Sequence, residues 1–223
     1  MFGKLFVVAT PIGNLADISG RALAVLTSCH QVICEDKRVT QKLLSFYNIS
    51  KPLMTFNQHT DVSRAGLMIN EIKNGHDFCY VTDAGTPGIS DPGGKLVEIC
   101  VEEGITVVPI PGASALATAI SVAGINLQEF IFLGFPPHKK GRQTFFKNVV
   151  ESKLPVIFYE STHRVLKALS EIDKLAPHRQ VIVMRELTKK FETIYRGSAS
   201  DIIEKLGETS TKGEFVVIVN IEK

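Results

Sequence analysis

The 223 residues contain no tryptophan, only four cysteines, and almost no excess charge, with 25 Lys and Arg against 23 Asp and Glu for a net +2. A nearly neutral chain has no global field for nucleic acid, so any such contact must come from a local patch. Cys29, Cys34, Cys79 and Cys100 form no CxxC pair, and each sits in or beside an apolar run. That pattern reads as reduced core thiols rather than a disulfide framework. No apolar run approaches the ~20 residues that cross a bilayer. The opening MFGKLFVVATPIGN has neither the charged start nor the long apolar stretch of a secretory signal. These absences predict a soluble chain in the cytoplasm. His30, His59, His76 and His178 show no metal-ligand spacing, so no metal site is expected. Neither GxGxxG nor GxxxxGK[ST] occurs, which removes the two commonest phosphate loops.

What is present is alternation. LFVVA (5–9), QVIC (31–34), PLMTF (52–56), FCYVT (78–82) and TVVPI (106–110) are strand-like runs separated by amphipathic stretches. The stretches include a helix capped by Asp17, VTQKLLSFY (39–47), VSRAGLMINEIKNG (62–75), and helices ending at Gly104 and Gly124. Strand and helix taking turns predicts an open, largely parallel α/β sheet with helices on both faces. The pattern changes after Gly124. FIFLGF (130–135), PVIFY (155–159), QVIVM (180–184), ETIYRG (192–197) and EFVVIV (214–219) read as strands. RQTFFKNVV (142–150), RVLKALSEIDKL (164–175) and SDIIEKL (200–206) read as helices. Two strands follow one another between 184 and 197, which predicts an antiparallel hairpin in a mixed sheet. The expected organisation is an α/β domain over 1–124 and a second, mixed-sheet α/β domain over 125–223.

Ligands of open α/β sheets bind at the C-terminal ends of the strands. Four loops fall there: ATPIGN (9–14), CEDKR (34–38), DAGTPGISDPGGK (83–95) and PIPGAS (109–114). Prolines inside the third loop remove amide donors that a phosphate cradle needs. The loop suits a neutral or cationic ligand gripped by carbonyls and a carboxylate. The plain alternative is a tight turn with a helix cap at Ser90 or Asp91.

ATPIGNLADIS, EDKRVTQKLL, VTDAGTPGISDPGGKLV, PIPGASAL, IFLGFPP, FYESTHR, RELTKKFE and KGEFVVIV, in this order, resemble the tetrapyrrole methylase superfamily. Within it they resemble the bacterial branch that methylates the ribose 2′-hydroxyl of a decoding-centre cytidine in 16S rRNA. The corrin and porphyrin methylases of the superfamily instead carry GxGPG in the first loop and GDPxxYG in the second. The resemblance spans nearly the whole chain. It implies two α/β domains of the class III methyltransferase type, with S-adenosylmethionine in a cleft between them, and a homodimer acting on the small ribosomal subunit. By position it assigns the cofactor to Pro11, Ile12, Asp83, Gly85, Thr86, Ile89, Ser114 and Ala115, and further along to Phe158, Tyr159, Met184 and Glu214. The chain departs from the branch in EDKR for EDTR, PGASA for PGPSA and FYESTHR for FYESPHR. Many relatives also continue into a further C-terminal region.

Methylating a ribose hydroxyl calls for a proton acceptor or a cation beside the developing alkoxide. Glu35 or Asp36 is the candidate acceptor, and Arg38 the candidate for holding a phosphate or orienting a carboxylate. The alternative is a solvated loop that caps the next helix. Asp91 and Lys95 are second candidates. Glu160 and His163 either face the cleft or open a helix with Ser161 as its cap. RNA is expected at HKKGR through Lys139, Lys140 and Arg142, joined by Lys147, Lys189 and Lys190. Phe145 and Phe146 read as helix core rather than base platforms. Competing functions are a small-molecule, tetrapyrrole-type methylase and a catalytically silent S-adenosylmethionine-binding protein.

Overall fold

A computed structural model describes residues 2–56, 62–91 and 93–221, so His59 and Pro92 lie outside the described residues. The chain divides into two compact units, Met1–Ser114 and Ala115–Lys223.

In the first unit, β1 (Lys4–Val8), β2 (Gln31–Cys34), β3 (Leu53–Thr55), β4 (Phe78–Val81) and β5 (Thr106–Ile110) lie in the order β3-β2-β4-β1-β5. Every pairing is parallel. Between the strands run α1 (Gly20–Ser28), α2 (Lys37–Phe46), α3 (Val62–Lys73) and α4 (Gly93–Glu102). Side chains alternate across each strand. Leu5, Ile33, Phe78 and Tyr80 pack on Met68, Ile72, Leu96 and Cys100 of α3 and α4. Val8, Val32, Cys34, Cys79 and Val81 pack on Ala22, Leu26 and Leu44 of α1 and α2. A sheet buried on both faces has apolar residues at every position, which is why FCYV shows no alternation. All four cysteines are buried free thiols. The first helix starts later than expected. Asp17 ends a 3₁₀ turn, and Ser19 caps α1 by accepting from the amide of Ala22.

In this strand order β1 and β4 are neighbours, yet their chains depart in opposite directions. β1 leads through α1 to β2, whereas β4 leads through α4 to β5 on its other side. Such a reversal opens a crevice at the strand C-termini.

The second unit begins with α5 (Ala115–Val122), followed by β6 (Ile131–Phe132), α6 (Arg142–Glu151), β7 (Val156–Ser161), α7 (Val165–Leu175), β8 (Val181–Arg185), β9 (Thr193–Gly197), α8 (Ala199–Glu208) and β10 (Glu214–Val219). The strand order is β6-β7-β10-β8-β9, with β6–β7 parallel and the other pairs antiparallel. The expected hairpin is β8–β9. Phe146, Leu169, Ile172, Ile202 and Leu206 of α6, α7 and α8 bury one face, formed by Val156, Phe158, Val183 and Val217. Ser198 and Asp201 close a reciprocal capping box on α8. The division at Ser114 falls ahead of the expected 124/125 because α5 packs on β10. Arg196 of β9 also donates to the carbonyls of Val122 (2.6 Å) and Ala123 (3.2 Å), at the C-terminal end of that helix. FIFLGF yields only a two-residue strand, since Gly134 turns at φ 63 and two prolines without amide donors follow.

Candidate active site

The four loops at the strand ends of the first sheet are tied to one another. Thr10 and Gly85 exchange backbone hydrogen bonds of 2.9 and 3.1 Å, joining the loops after β1 and β4. The amide of Asp36 donates to Asp83 Oδ1 (3.2 Å), adding the loop after β2. Thr86 Oγ1 donates to the carbonyl of Ala113 (2.9 Å), adding the loop after β5. Gly85 sits at φ +85, and a Cβ there would lie 3.2 Å from Ile12 Cγ2. Pro11 and Ile12 are buried beneath this junction, while Ile89 and Ser114 are half-buried on it.

The edge is acidic. Burial, then the charges of Asp83 and Asp91, push the Glu35 carboxyl up to about 7 against a backbone hydrogen bond from Asp83. Glu35 Oε1 is buried with no hydrogen-bond partner among the described residues. Burial also raises Asp83. Asp91 is held differently: its carboxylate accepts from the amides of Gly88 (2.5 Å) and Gly93 (2.6 Å), as a helix-capping aspartate does. Tyr80 Oη lies 3.5 Å from Asp91 Oδ1. A Cβ at Gly93 would come within 2.4 Å of that tyrosine ring, so the glycine is what lets the loop close over β4.

Neighbouring charges separate into two kinds. Asp36 caps α2 by accepting from the amide of Arg38 (2.8 Å) and also holds its guanidinium (2.6 Å). The hydrogen bonds from Arg38 lower its carboxyl to about 2, so it is a poor proton acceptor. The capping alternative thus describes Asp36, and Glu35 remains the candidate base. Arg38 keeps 87% of its side chain exposed. Lys95 pairs with Glu98 one turn along α4 (2.7 Å).

At the second sheet, LGFPPHKKGR, ESTHR, RELTKKFE and KGEF all fall at one edge, since β6, β7 and β8 end there and β10 begins there. The buried charges on this edge face one another as ion pairs, although Glu160 Oε2 has no hydrogen-bond partner among the described residues. Glu160 is 1% exposed, accepting from the Ser161 amide (2.8 Å) and ion-paired with Arg164 Nε (2.9 Å), which donates to Ser161 Oγ (3.2 Å), with Arg142 Nη1 at 3.7 Å. Of the two readings of Glu160, burial disfavours facing a ligand, while Ser161 lies in β7 and Arg164 stands at the start of α7. Arg142, expected at an RNA contact, is instead turned inward. Arg142 is 4% exposed, with its guanidinium on Glu171 (2.8 Å) and over the Phe146 ring. Lys139 and Lys140 are exposed, whereas Lys189 is bound by Glu186 (3.0 Å) and Glu214 (2.8 Å). The Phe158 side chain is wholly buried in the helix-side core, which leaves only its backbone for a ligand. Tyr159 and Met184 point to the opposite face from Phe158 and Val183, as strand alternation requires, and Glu214 is exposed. Ala115 is the first residue of α5.

Sequence reading missed the clamp by Arg164 and Arg142 and the contact of Tyr80 with Asp91. The signals were there: Glu160 and Arg164 stand at i,i+4, and Tyr80 is the one hydroxyl-bearing side chain in FCYV.

A family model described as Tetrapyrrole (Corrin/Porphyrin) Methylases matches residues 4–203. The chain is 44% identical to the ribosomal RNA small subunit methyltransferase I of Pasteurella multocida (strain Pm70), over 97% of this chain and 79% of that relative. A protein of the same name from Thermotoga maritima is 40% identical over 98% of both chains. The crystal structure of a cobalamin biosynthetic enzyme, cobalt precorrin-4 methyltransferase, superposes with a TM-score of 0.73 over 97% of this chain and 94% of that one. At 17% identity that likeness speaks for the fold alone. Over nearly its full length, the chain belongs to the tetrapyrrole (corrin/porphyrin) methylase family, beside relatives named as ribosomal RNA small subunit methyltransferases.

Proposed function

We propose that the chain is an S-adenosylmethionine-dependent methyltransferase that methylates the ribose 2′-hydroxyl of a decoding-centre cytidine in 16S rRNA. It would act in the cytoplasm, as a homodimer, on the small ribosomal subunit. The observation that carries the reading is the acidic crevice edge, where Glu35 Oε1 is buried without a hydrogen-bond partner among the described residues, in a chain whose relatives bear that name.

The residues present fit the methyl donor. Glu35, Asp83 and Asp91 make the edge repel phosphate and favour a cation, and S-adenosylmethionine is cationic at sulfur and carries no phosphate. Pro11, Ile12, Asp83, Gly85, Thr86, Ile89 and Ser114 are the residues of the first unit that would hold it. When bound, the donor supplies an electrophilic methyl group.

The protein's task is then alignment and proton removal. The loop junction is stiffened by the Thr10–Gly85 exchange and the Thr86–Ala113 bond, as placing reacting atoms about 3–3.5 Å apart demands. Glu35, with a carboxyl near 7, is ionised in part at neutral pH and is still basic enough to accept the hydroxyl proton. Such a base contributes roughly 10²–10⁴-fold. Arg38 stands exposed at the rim for a backbone phosphate. The test is transfer of a labelled methyl group to small subunits from cells lacking the modification. Label appearing at a ribose 2′-oxygen of the rRNA is expected; absence of transfer across donor concentration and salt rejects the proposal.

A further inference from the structure

The motif edge of the second sheet carries two aromatic rings that its core does not use. Phe135 is 49% exposed and Phe191 62% exposed. The first is anchored. Phe135 meets Tyr159 edge-on at 5.5 Å, and Tyr159 in turn meets Phe132 at 5.0 Å, so the outer ring is the end of a packed row. The loop that bears it is fixed at successive prolines. Arg164 Nη1 donates to the carbonyl of Pro136 (3.1 Å) and Arg142 Nη1 to that of Pro137 (3.3 Å). Both guanidiniums lie against the buried Glu160, at 2.9 and 3.7 Å. Beyond the clamp stand the exposed Lys139 and Lys140. Phe191, at the β8–β9 turn, shares only the cation, with Lys190 Nζ 5.6 Å from its ring centre.

A half-exposed ring held rigid beside uncommitted cations is costly to keep in water and useful to a flat, anionic ligand. Unpaired nucleotides offer a π-face for the ring and a phosphate for the lysine. In sequence Phe135 follows β6 and Phe191 precedes β9, the two edge strands of the sheet. We propose that Phe135 and Phe191 are stacking platforms for unpaired bases of the rRNA substrate, with Lys139, Lys140 and Lys190 taking the adjoining phosphates. Glu160 is then a positioning residue that holds the first platform through Arg164 and Arg142. The inference rests on the reading that the substrate is RNA. A second copy of the chain is disfavoured as the occupant because exposed lysines attend both rings.

The experiment measures binding of a fluorescein-labelled, unstructured single-stranded RNA by anisotropy, beside a duplex of equal length. Leu at either position keeps apolar bulk and removes the π-face. Phe135→Leu and Phe191→Leu should each weaken single-strand binding on the order of tenfold. Phe135→Trp should restore it, with donor affinity by calorimetry and sedimentation unchanged. Leu variants that bind single strands as tightly as the wild type overturn the proposal. So does a Phe135→Leu variant whose main effect is a changed oligomeric state. Wild-type protein that binds no RNA overturns the underlying functional reading, and this inference falls with it.

Discussion

The two motif edges treat their charges in opposite ways. On the first sheet, burial and the like charges of Asp83 and Asp91 act on Glu35 with no cation opposing them, while Arg38 reaches only Asp83 and Asp36. On the second, Glu160 is enclosed by Arg142 and Arg164, and Lys189 by Glu186 and Glu214. An unmatched, partly desolvated carboxylate is a reactive group held at a cost to stability. A matched, buried one is architecture. Charged residues within equally recognisable motifs thus stand open at one edge, where the proposal places the chemistry, and are locked into loop position at the other.

Substituting Glu160 tests that contrast most severely. Glu160→Ala leaves two guanidiniums without their shared carboxylate and should destabilise the second unit by about 3–5 kcal/mol, read from denaturant midpoints. Glu160→Gln should recover part of the loss, because an amide oxygen still accepts from the Ser161 amide. An unchanged midpoint for Glu160→Ala would remove the architectural half of the comparison.

Glu35→Gln tests the other half, with a loss in kcat on the order of 10²-fold. Wild-type kcat should rise with pH through about 7, and the variant's should stay flat. Stability should move the other way. The folded carboxyl, at about 7, holds its proton where the unfolded one, near its ordinary 4.5, has released it. Stability therefore declines as pH rises across that window. Glu35→Gln escapes this decline, so its melting temperature should gain on the wild type from pH ~4.5 to ~7. A variant both active and no more stable would show that Glu35 is an ordinary surface carboxylate.

Much of the first unit was legible in advance, for a physical reason. A parallel sheet buried on both faces needs β-branched runs, and its crossovers need amphipathic helices, so FCYVT and TVVPI announce themselves. Loops at strand ends could be placed together from topology alone, as the Thr10–Gly85 and Thr86–Ala113 bonds bear out. Side-chain direction was less legible. Arg142 lies in HKKGR with two exposed lysines, but it opens α6 and turns inward to Glu171. Phe158 and Tyr159 are adjacent, and strand alternation sends them to opposite faces. Glu35 and Asp36 are likewise neighbours. Only the geometry shows that one caps a helix and the other has an unpartnered oxygen.

The rigidity of the first edge is open to a finer test. Gly85→Ala forces a left-handed residue at φ +85 and sets a Cβ 3.2 Å from Ile12 Cγ2. Gly88→Ala imposes similar backbone strain at φ +92 with nothing within 4 Å. Each should lose roughly 1–2 kcal/mol of stability. Only Gly85→Ala should also weaken donor binding by calorimetry, since it displaces Ile12. Equal losses of donor affinity would mean that the loop's backbone, and not the Ile12 contact, shapes the site.

The smallest expected effect falls on Asp36, and it separates the two neighbours in EDKR. Its carboxyl is lowered to about 2 by hydrogen bonds from Arg38, so its contribution is present above the unfolded value and is lost as pH falls from about 4 towards 2. Asparagine caps helices as well as aspartate does. Asp36→Asn should therefore keep its melting temperature near the wild-type value at neutral pH, and Asp36→Ala should lower it slightly. The Ala deficit should shrink on acidification, because the wild-type residue is then protonated and surrenders its own advantage. Methyl transfer by Asp36→Asn should stay within about threefold of the wild type, against the loss on the order of 10²-fold expected for Glu35→Gln. A large loss at Asp36 with Glu35→Gln still active would reverse the assignment and make the Arg38-bound carboxylate the proton acceptor.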